Sequence, residues 1–493
     1  MRGSVRAALG AVAAILVAAG AVTGCSGAGS TTAAPDWCPT VEGHRVECGT
    51  VTRELVAGQP ELGDIEVAYA LVRRSHTGAP AAGTIAPNPG GPGVPLIDHV
   101  GQAVAAMDSV LDDHDLLLID PRGTGLSTPL DCGVPDQDYL TLPRNEQRET
   151  VARCGERLGP RAAGYTSAAT VDDFDAVRAE LGIRKLVLYG LSYGTYLLPV
   201  YAQRHPESVQ SMVLSGAYPH DFDTLNRPNA EAVSLALQRI CERSGVCDGA
   251  TAVADLRAVN ARLRTQPIAI EGERPFTLTE DKLGSLLFET ATSGVGADPE
   301  PMLGTVPAAL HAAVRGDDAP LRDFATRAAA VPVTENIDLY VTVACNDYPT
   351  LWNPNSPMPQ REQQYRAAID AAGETGAFSA GGFSAAQRDG GDVCLGWPAT
   401  TRNDYASQPL PDVPVLVLSG DLDAITPDLN GQRAASRFPH ARFVSVPNVG
   451  HVPDLAPGGC VTGIVTNFLR TGDPGATDCV RTVPPIPVTP VTN

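Results

Sequence analysis

The chain has 493 residues and a formal net charge of −20, so it is long enough for more than one domain and too acidic over most of its surface to hold a phosphate backbone. Its 43% hydrophobic content is that of an ordinary globular protein with a sizeable core. Nucleic acid is thereby excluded as a partner, whereas a cationic or amine-bearing substrate is tolerated.

At the N-terminus, Arg2 and Arg6 precede an apolar stretch over 7–22 that runs into Thr23-Gly24-Cys25, the layout of an export signal. Small residues directly before a cysteine resemble the bacterial lipobox, where cleavage leaves the cysteine as the new N-terminus with lipid on its sulfur. Residues 1–24 are read as a lipoprotein signal peptide and Cys25 as the lipidation site, with an ordinary secretory signal as the alternative. Residues 25–35, rich in Gly, Ser, Thr and Ala, read as a flexible tether. No later run is long and apolar enough to span a bilayer. The expected product is an exported cell-surface lipoprotein, held to the plasma membrane through Cys25, or a secreted protein.

From about residue 50 to 218, short apolar runs alternate with helical periods. This predicts an α/β architecture, a mostly parallel sheet with helices on both faces. Strands are expected over 65–69, 83–86, 115–119, 185–189 and 211–214. Each of the last four is followed by a turn rich in Gly, Pro or Ser, where ligand-binding residues collect in such sheets. A helix capped around Thr170 has the apolar face Val171, Phe174, Val177 and Leu181, and another over 193–205 is stopped by Pro206. Helical periods over 230–243, 252–264 and 280–290 predict an inserted helical cap. Sheet character returns at 339–344, 413–419 and 441–446, and 353–406 reads as irregular surface structure around one amphipathic stretch at 360–371. The expected division is therefore 36–220 for the first part of the core, 221–336 for the cap and 337–481 for the second part. A Pro/Val/Thr-rich tail over 482–493 carries no readable function.

Apart from Cys25, ten cysteines fall in neighbouring couples: Cys38 and Cys48, Cys132 and Cys154, Cys241 and Cys247, Cys345 and Cys394, Cys460 and Cys479. Each couple can close a modest loop after export, although sequence does not fix connectivity. No Cys-x-x-Cys pair exists and the histidines do not cluster near cysteines, so no metal and no cofactor are expected.

The strongest chemical signal is Gly190-Leu191-Ser192-Tyr193-Gly194, directly after an apolar strand and before a helix. Two glycines allow the sharp turn that exposes a serine hydroxyl above a sheet. Such a nucleophile needs a base and a carboxylate to orient it, in the order Ser, acid, His. Asp421 and Asp423 follow the strand at 413–419, and His451 follows the one at 441–446. Asp423 is taken as the acid and Asp421 as a turn-shaping residue; His440 precedes its strand and is the weaker base. Upstream, Asn88-Pro89-Gly90-Gly91-Pro92-Gly93 follows a strand and can present backbone N–H groups to an oxyanion together with that of Tyr193.

These segments, with Asp120-Pro121-Arg122-Gly123, Gly420-Asp421-Leu422-Asp423 and Gly450-His451, resemble the prolyl and tripeptidyl aminopeptidase family of α/β-hydrolases, and most of all its exported actinobacterial tripeptidyl branch. The resemblance, over roughly 36–471, implies the α/β-hydrolase fold with Ser192, Asp423 and His451 as triad and Gly91 with Tyr193 as oxyanion donors. It implies that the loop at Asp120 buttresses the site, and that an acidic residue receives the free α-amino group of a peptide or protein N-terminus. Asp347, in Cys345-Asn346-Asp347, is the candidate for that role, with a turn or capping aspartate as the other reading. Two departures stand out: Pro89 replaces the family's histidine, and Val94-Pro95-Leu96-Ile97 replaces a small Gly-Ser-Gly continuation. A carboxylesterase or lipase on the same triad, and a non-catalytic surface protein on the same scaffold, remain alternatives.

Overall fold

Among the described residues the strands, in chain order, are β1 (Val46–Glu54), β2 (Asp64–Val72), β3 (Gly83–Asn88), β4 (His114–Ile119), β5 (Leu186–Leu191), β6 (Val209–Ser215), β7 (Ile268–Ile270), β8 (Phe276–Leu278), β9 (Glu374–Thr375), β10 (Phe378–Ser379), β11 (Val415–Gly420) and β12 (Ala441–Val446). They come from a computed structural model that describes residues 34–492 except 297–299, 399–401 and 457. The signal segment and Cys25 lie outside the described residues. Among these, no helix is long and apolar enough to cross a membrane.

Eight strands form one sheet in the order β1-β2-β4-β3-β5-β6-β11-β12. β1, β2 and β4 pair antiparallel, and every pairing from β4 to β12 is parallel. Alternate residues serve opposite faces: Leu117, Ile119, Leu186 and Leu188 join one apolar layer, Leu116, Leu118, Val187 and Tyr189 the other. Helices Ser167–Glu180 and Gly194–Arg204 cover the first face, Val100–Met107 and Cys460–Thr471 the second. Burial on both faces explains why the parallel strands read as continuous apolar runs. β1 escaped the sequence reading because it is an edge strand with polar residues facing water, VECGTVTRE.

Two expectations need correction. The run 339–344 is not a strand but lies inside the helix Ile337–Asp347, whose N-cap Asn336 accepts a hydrogen bond from Leu339 N. Every residue of that helix is buried, so its apolar run carries no period to separate helix from strand. The helix expected to start at Thr170 begins a turn earlier, capped by Thr166, whose hydroxyl accepts from Ala169 N.

The cap has its own apolar core, built on helices Arg227–Ser244, Gly249–Leu263, Val306–Val314 and Ala319–Ala329 and the hairpin β7–β8. It is completed by residues far downstream. Phe378 and Phe383, from the segment expected to be irregular, enter that core. Buried Glu280 accepts from Ser379 N at 2.8 Å and Ser379 Oγ at 2.6 Å. The helix Ala380–Ala386 reads AGGFSAA, too small and uniform to show periodicity. The tail crosses the same surface: Thr489 N donates to Gly304 O at 2.9 Å, Val491 N to Val246 O at 3.3 Å, and Ile486 and Val488 pack on the cap core. All five neighbouring cysteine couples are disulfides. A cluster of Cys132, Cys154 and Asp338 is thus committed to a covalent bond.

Candidate active site

β5 ends at Leu191 and the next helix starts at Gly194, which leaves Ser192 and Tyr193 to make the turn. Ser192 sits at φ 52°, a left-handed conformation that a serine adopts only under constraint. The constraint is backbone: Ser192 N donates to Ser215 O at 3.0 Å at the end of β6. The flanking glycines are required by close approach. A Cβ on Gly190 would lie 2.6 Å from Gly194 O, and one on Gly194 would run into Asn88 O.

Asp423 and His451 stand on the turns after β11 and β12. His451 Nδ1 donates to Asp423 Oδ2 at 2.9 Å, and the Thr426 hydroxyl, 3.0 Å from that nitrogen, donates to the same carboxylate oxygen. Asp423 Oδ1 accepts from Ile425 N at 2.7 Å and Thr426 N at 3.0 Å. Burial alone would raise the Asp423 carboxyl, but the His451 ring and these hydrogen bonds outweigh it and hold the group below the usual range. An ionised, fully bonded carboxylate is what fixes the tautomer of the imidazole. Asp421 faces elsewhere: it pairs with Arg243 at 2.5 Å and accepts from Asn448 N at 2.7 Å, tying this turn to the cap. His440 is 72% exposed and far from these contacts, 3.5 Å from Asp412.

The loop after β3 packs onto the elbow, since a Cβ on Gly90 would lie 3.0 Å from Tyr193 N. Gly91 lines the same cavity as Ser192 and His451, and Tyr193 N opens a helix whose first N–H groups have no intrahelical acceptor. Behind this loop, buried Asp120 accepts from Leu96 N (2.6 Å), Ile97 N (3.0 Å) and Leu126 N (2.9 Å). Arg122 makes a two-pronged pair with Asp173, at 2.7 Å on each prong.

The cavity over Ser192 measures about 470 Å³, within the range of small-ligand sites. Its charged wall was not anticipated. Glu289, on a single π-helical turn, Glu335, before the helix Ile337–Asp347, and Asp389 surround one cation, Arg388. Arg388 pairs with Glu289 at 2.6 Å and Glu335 at 3.0 Å and lies over the Tyr340 ring, while Tyr340 Oη donates to Asp389 at 2.9 Å. Burial pushes Glu289 up to about 7 and raises Asp389. Burial acts upward on Glu335 too, but Arg388 and nearby backbone N–H groups bring it below its usual value. Three carboxylates around one guanidinium leave an excess of negative charge beside the oxyanion loop, because a Cβ on Gly91 would lie 3.1 Å from Glu335 Cγ. Arg388 and Asp389 lie in a stretch without motif or period, so no sequence signal marked them.

Asp347 is not in this wall. Its carboxylate is buried beneath the cavity, accepting from Ser167 N at 2.5 Å, and the residue does not line the cavity. The helix Ile337–Asp347 ends there, with Asp347 itself buried. Burial pushes this carboxyl up to about 6.

A parallel sheet with a strained serine elbow, an Asp–His pair on the following strand ends and a helical cap define an α/β hydrolase. Likeness to known proteins narrows the class: residues 88–259 match the alpha/beta hydrolase fold model, and 380–480 match the model of the TAP-like proteins. The chain thus has the α/β-hydrolase fold, and its second part is similar to the TAP-like proteins. It is 31% identical over 187 residues to a tripeptidyl aminopeptidase of Streptomyces lividans, covering 34% of this chain and 35% of that one. It is 32% identical over 209 residues to serine protease Hip1 of Mycobacterium tuberculosis, covering 39% and 38%. The matched part thus spans about a third of these relatives. Over 499 residues it is 27% identical to a carboxylesterase B of Mycobacterium tuberculosis, covering 90% of this chain and 91% of that one.

Proposed function

We propose that the chain is an exported serine hydrolase that acts as an aminopeptidase, releasing residues or short peptides from a free N-terminus. The observation that carries this reading is one cavity holding both Ser192 with His451 and an acidic wall fit for an ammonium group. Ser192 Oγ attacks the scissile carbonyl while His451 takes its proton, forming a tetrahedral intermediate whose oxygen is met by the N–H groups of Gly91 and Tyr193. Collapse breaks the C–N bond, His451 gives the proton to the leaving amine, and the acyl group stays on Ser192. Water, deprotonated by His451, then releases the acid and restores the serine. The wall of Glu289, Glu335 and Asp389 takes the role that the family resemblance suggested for Asp347, pairing with the substrate's amine and setting its distance from Ser192. The names of the tripeptidyl aminopeptidase and Hip1 relatives support peptide hydrolysis. The carboxylesterase B relative supports a second reading, ester hydrolysis on the same triad.

Matched peptide anilides with free and acetylated N-termini, beside a p-nitrophenyl ester, separate the two. Acetylation should cut kcat/KM by about a hundredfold, since the wall's excess negative charge then lacks its cationic partner. Because Glu289 ionises near pH 7, KM for the free peptide should fall as pH rises through that value, and Glu289→Gln should abolish this limb. Equal rates on blocked and free peptides, or turnover of the ester alone, would favour the esterase. Export and lipid attachment at Cys25 belong to the same proposal, supported by the signal-like N-terminus and by five disulfides that fit an oxidising compartment.

A further inference from the structure

His451 stands on a loop that must be held against the elbow, yet its neighbour Val452 has φ 60°, a conformation a β-branched residue does not adopt unforced. The force comes from the next three residues. Pro453–Leu455 form one tight turn, and Asp454 on it reaches back to the sheet. One carboxylate oxygen accepts from Tyr189 Oη, the other from Ser215 Oγ. Both partners belong to the nucleophile's own support. Tyr189 lies on β5, the strand that ends in the elbow, and Ser215 closes β6, its carbonyl accepting the Ser192 N–H at 3.0 Å. A continuous chain of bonds therefore runs from Ser192 N through Ser215 to Asp454 and back along three residues to His451.

We propose that Asp454 is a positioning residue for acyl transfer, pinning the His451 loop to the two strands that hold Ser192. Asp454 does not line the cavity, and each of its oxygens is occupied by a hydroxyl, so it acts through the loop and not on substrate. Burial, and then the neighbouring Asp454 charge, raise the Tyr189 hydroxyl far above its ordinary value, so tyrosine keeps its proton and is the donor of this pair. A carboxylate suits the place because two hydroxyl donors converge on it, and charge-assisted O–H bonds are the stronger kind. The proposal rests on the reading of Ser192 as nucleophile and His451 as base.

The test measures kcat and KM on a free-amine peptide anilide and on a small p-nitrophenyl ester, using the full chain with Asp454→Ala, Asp454→Asn, Tyr189→Phe and Ser215→Ala, and Ser192→Ala as reference. Misplacing a catalytic group by about 1 Å costs on the order of a hundredfold. Asp454→Ala should therefore lower kcat by about that factor on both substrates, with KM within about twofold. Tyr189→Phe and Ser215→Ala, each losing one arm, should fall between it and the unaltered protein, and Asp454→Asn, which keeps an acceptor, should restore part of the loss. Should Asp454→Ala fail to fold, the two single-arm variants carry the same kcat-against-KM reading. A change confined to KM, or unaltered kcat in all four while Ser192→Ala is inactive, would overturn the positioning role and leave the nucleophile reading standing. An active Ser192→Ala would overturn both.

Discussion

Asp421 and Asp423 share one turn and differ in what they meet. Asp423 is wholly buried and bonded to His451 and Thr426, whereas Asp421 pairs with Arg243 of the cap and caps the Asn448 backbone. Asp423→Asn should lower kcat by several orders of magnitude, as loss of the tautomer-fixing carboxylate does elsewhere. Asp421→Asn should leave kcat within about tenfold and lower the melting temperature instead, because it loses an ion pair between cap and core. Kinetics and thermal melts of the two variants check this order. Asp347 gives a different test. Its carboxyl moves from 3.8 up to about 6 in the fold through burial, so its contribution to stability is full below the unfolded value and is lost as pH rises through about 6. Asp347→Asn cannot ionise, so its melting temperature relative to the unaltered protein should climb from pH 4 to pH 7. Its KM for free-amine peptides should stay put if, as proposed, the amine pairs with the wall of Glu289, Glu335 and Asp389.

Elements far apart in sequence build the cap. The segment carrying Arg388 and Asp389 is fastened through Ser379 to Glu280, close in sequence to the π-helical turn that carries Glu289. Arg388 and its partners Glu289 and Glu335 thus arrive from separate stretches, and this clasp is one of the contacts that bring them together. The tail is a second fastening. Gly304 is a glycine because a Cβ there would run into Pro487 O, so the tail is seated against the cap backbone. From Asn448, which donates to Val483 O at 2.8 Å, it runs to Val246. Removing residues 484–493 should expose Ile486 and Val488 contacts on the cap core and free two backbone acceptors. The expected result is a lower melting temperature and faster proteolysis within 227–329, read by limited digestion and mass spectrometry. Unchanged digestion would mean that the tail does not restrain the cap.

For the whole molecule, five disulfides each close a short or modest loop, so reduction should lower thermal stability without disassembling the sheet, whose strands pair independently of them. Cys25→Ala should move the protein from the membrane fraction to the soluble one, and its retention would remove the lipid anchor. Sequence alone sufficed for what local chemistry dictates. The elbow needs glycines on both sides of Ser192, strand ends carry Asp423 and His451 in a fixed order, and buried parallel strands read as apolar runs. It did not reveal the edge strand β1, whose outer face is polar, or the helix Ile337–Asp347, whose all-round burial erased its period. The acidic wall of the cavity was beyond it, as was the burial of Asp347. A carboxylate's role depends on whether it faces a cavity or the core, and Glu289, Glu335, Arg388 and Asp389 become neighbours only when the second part of the cap docks on the first.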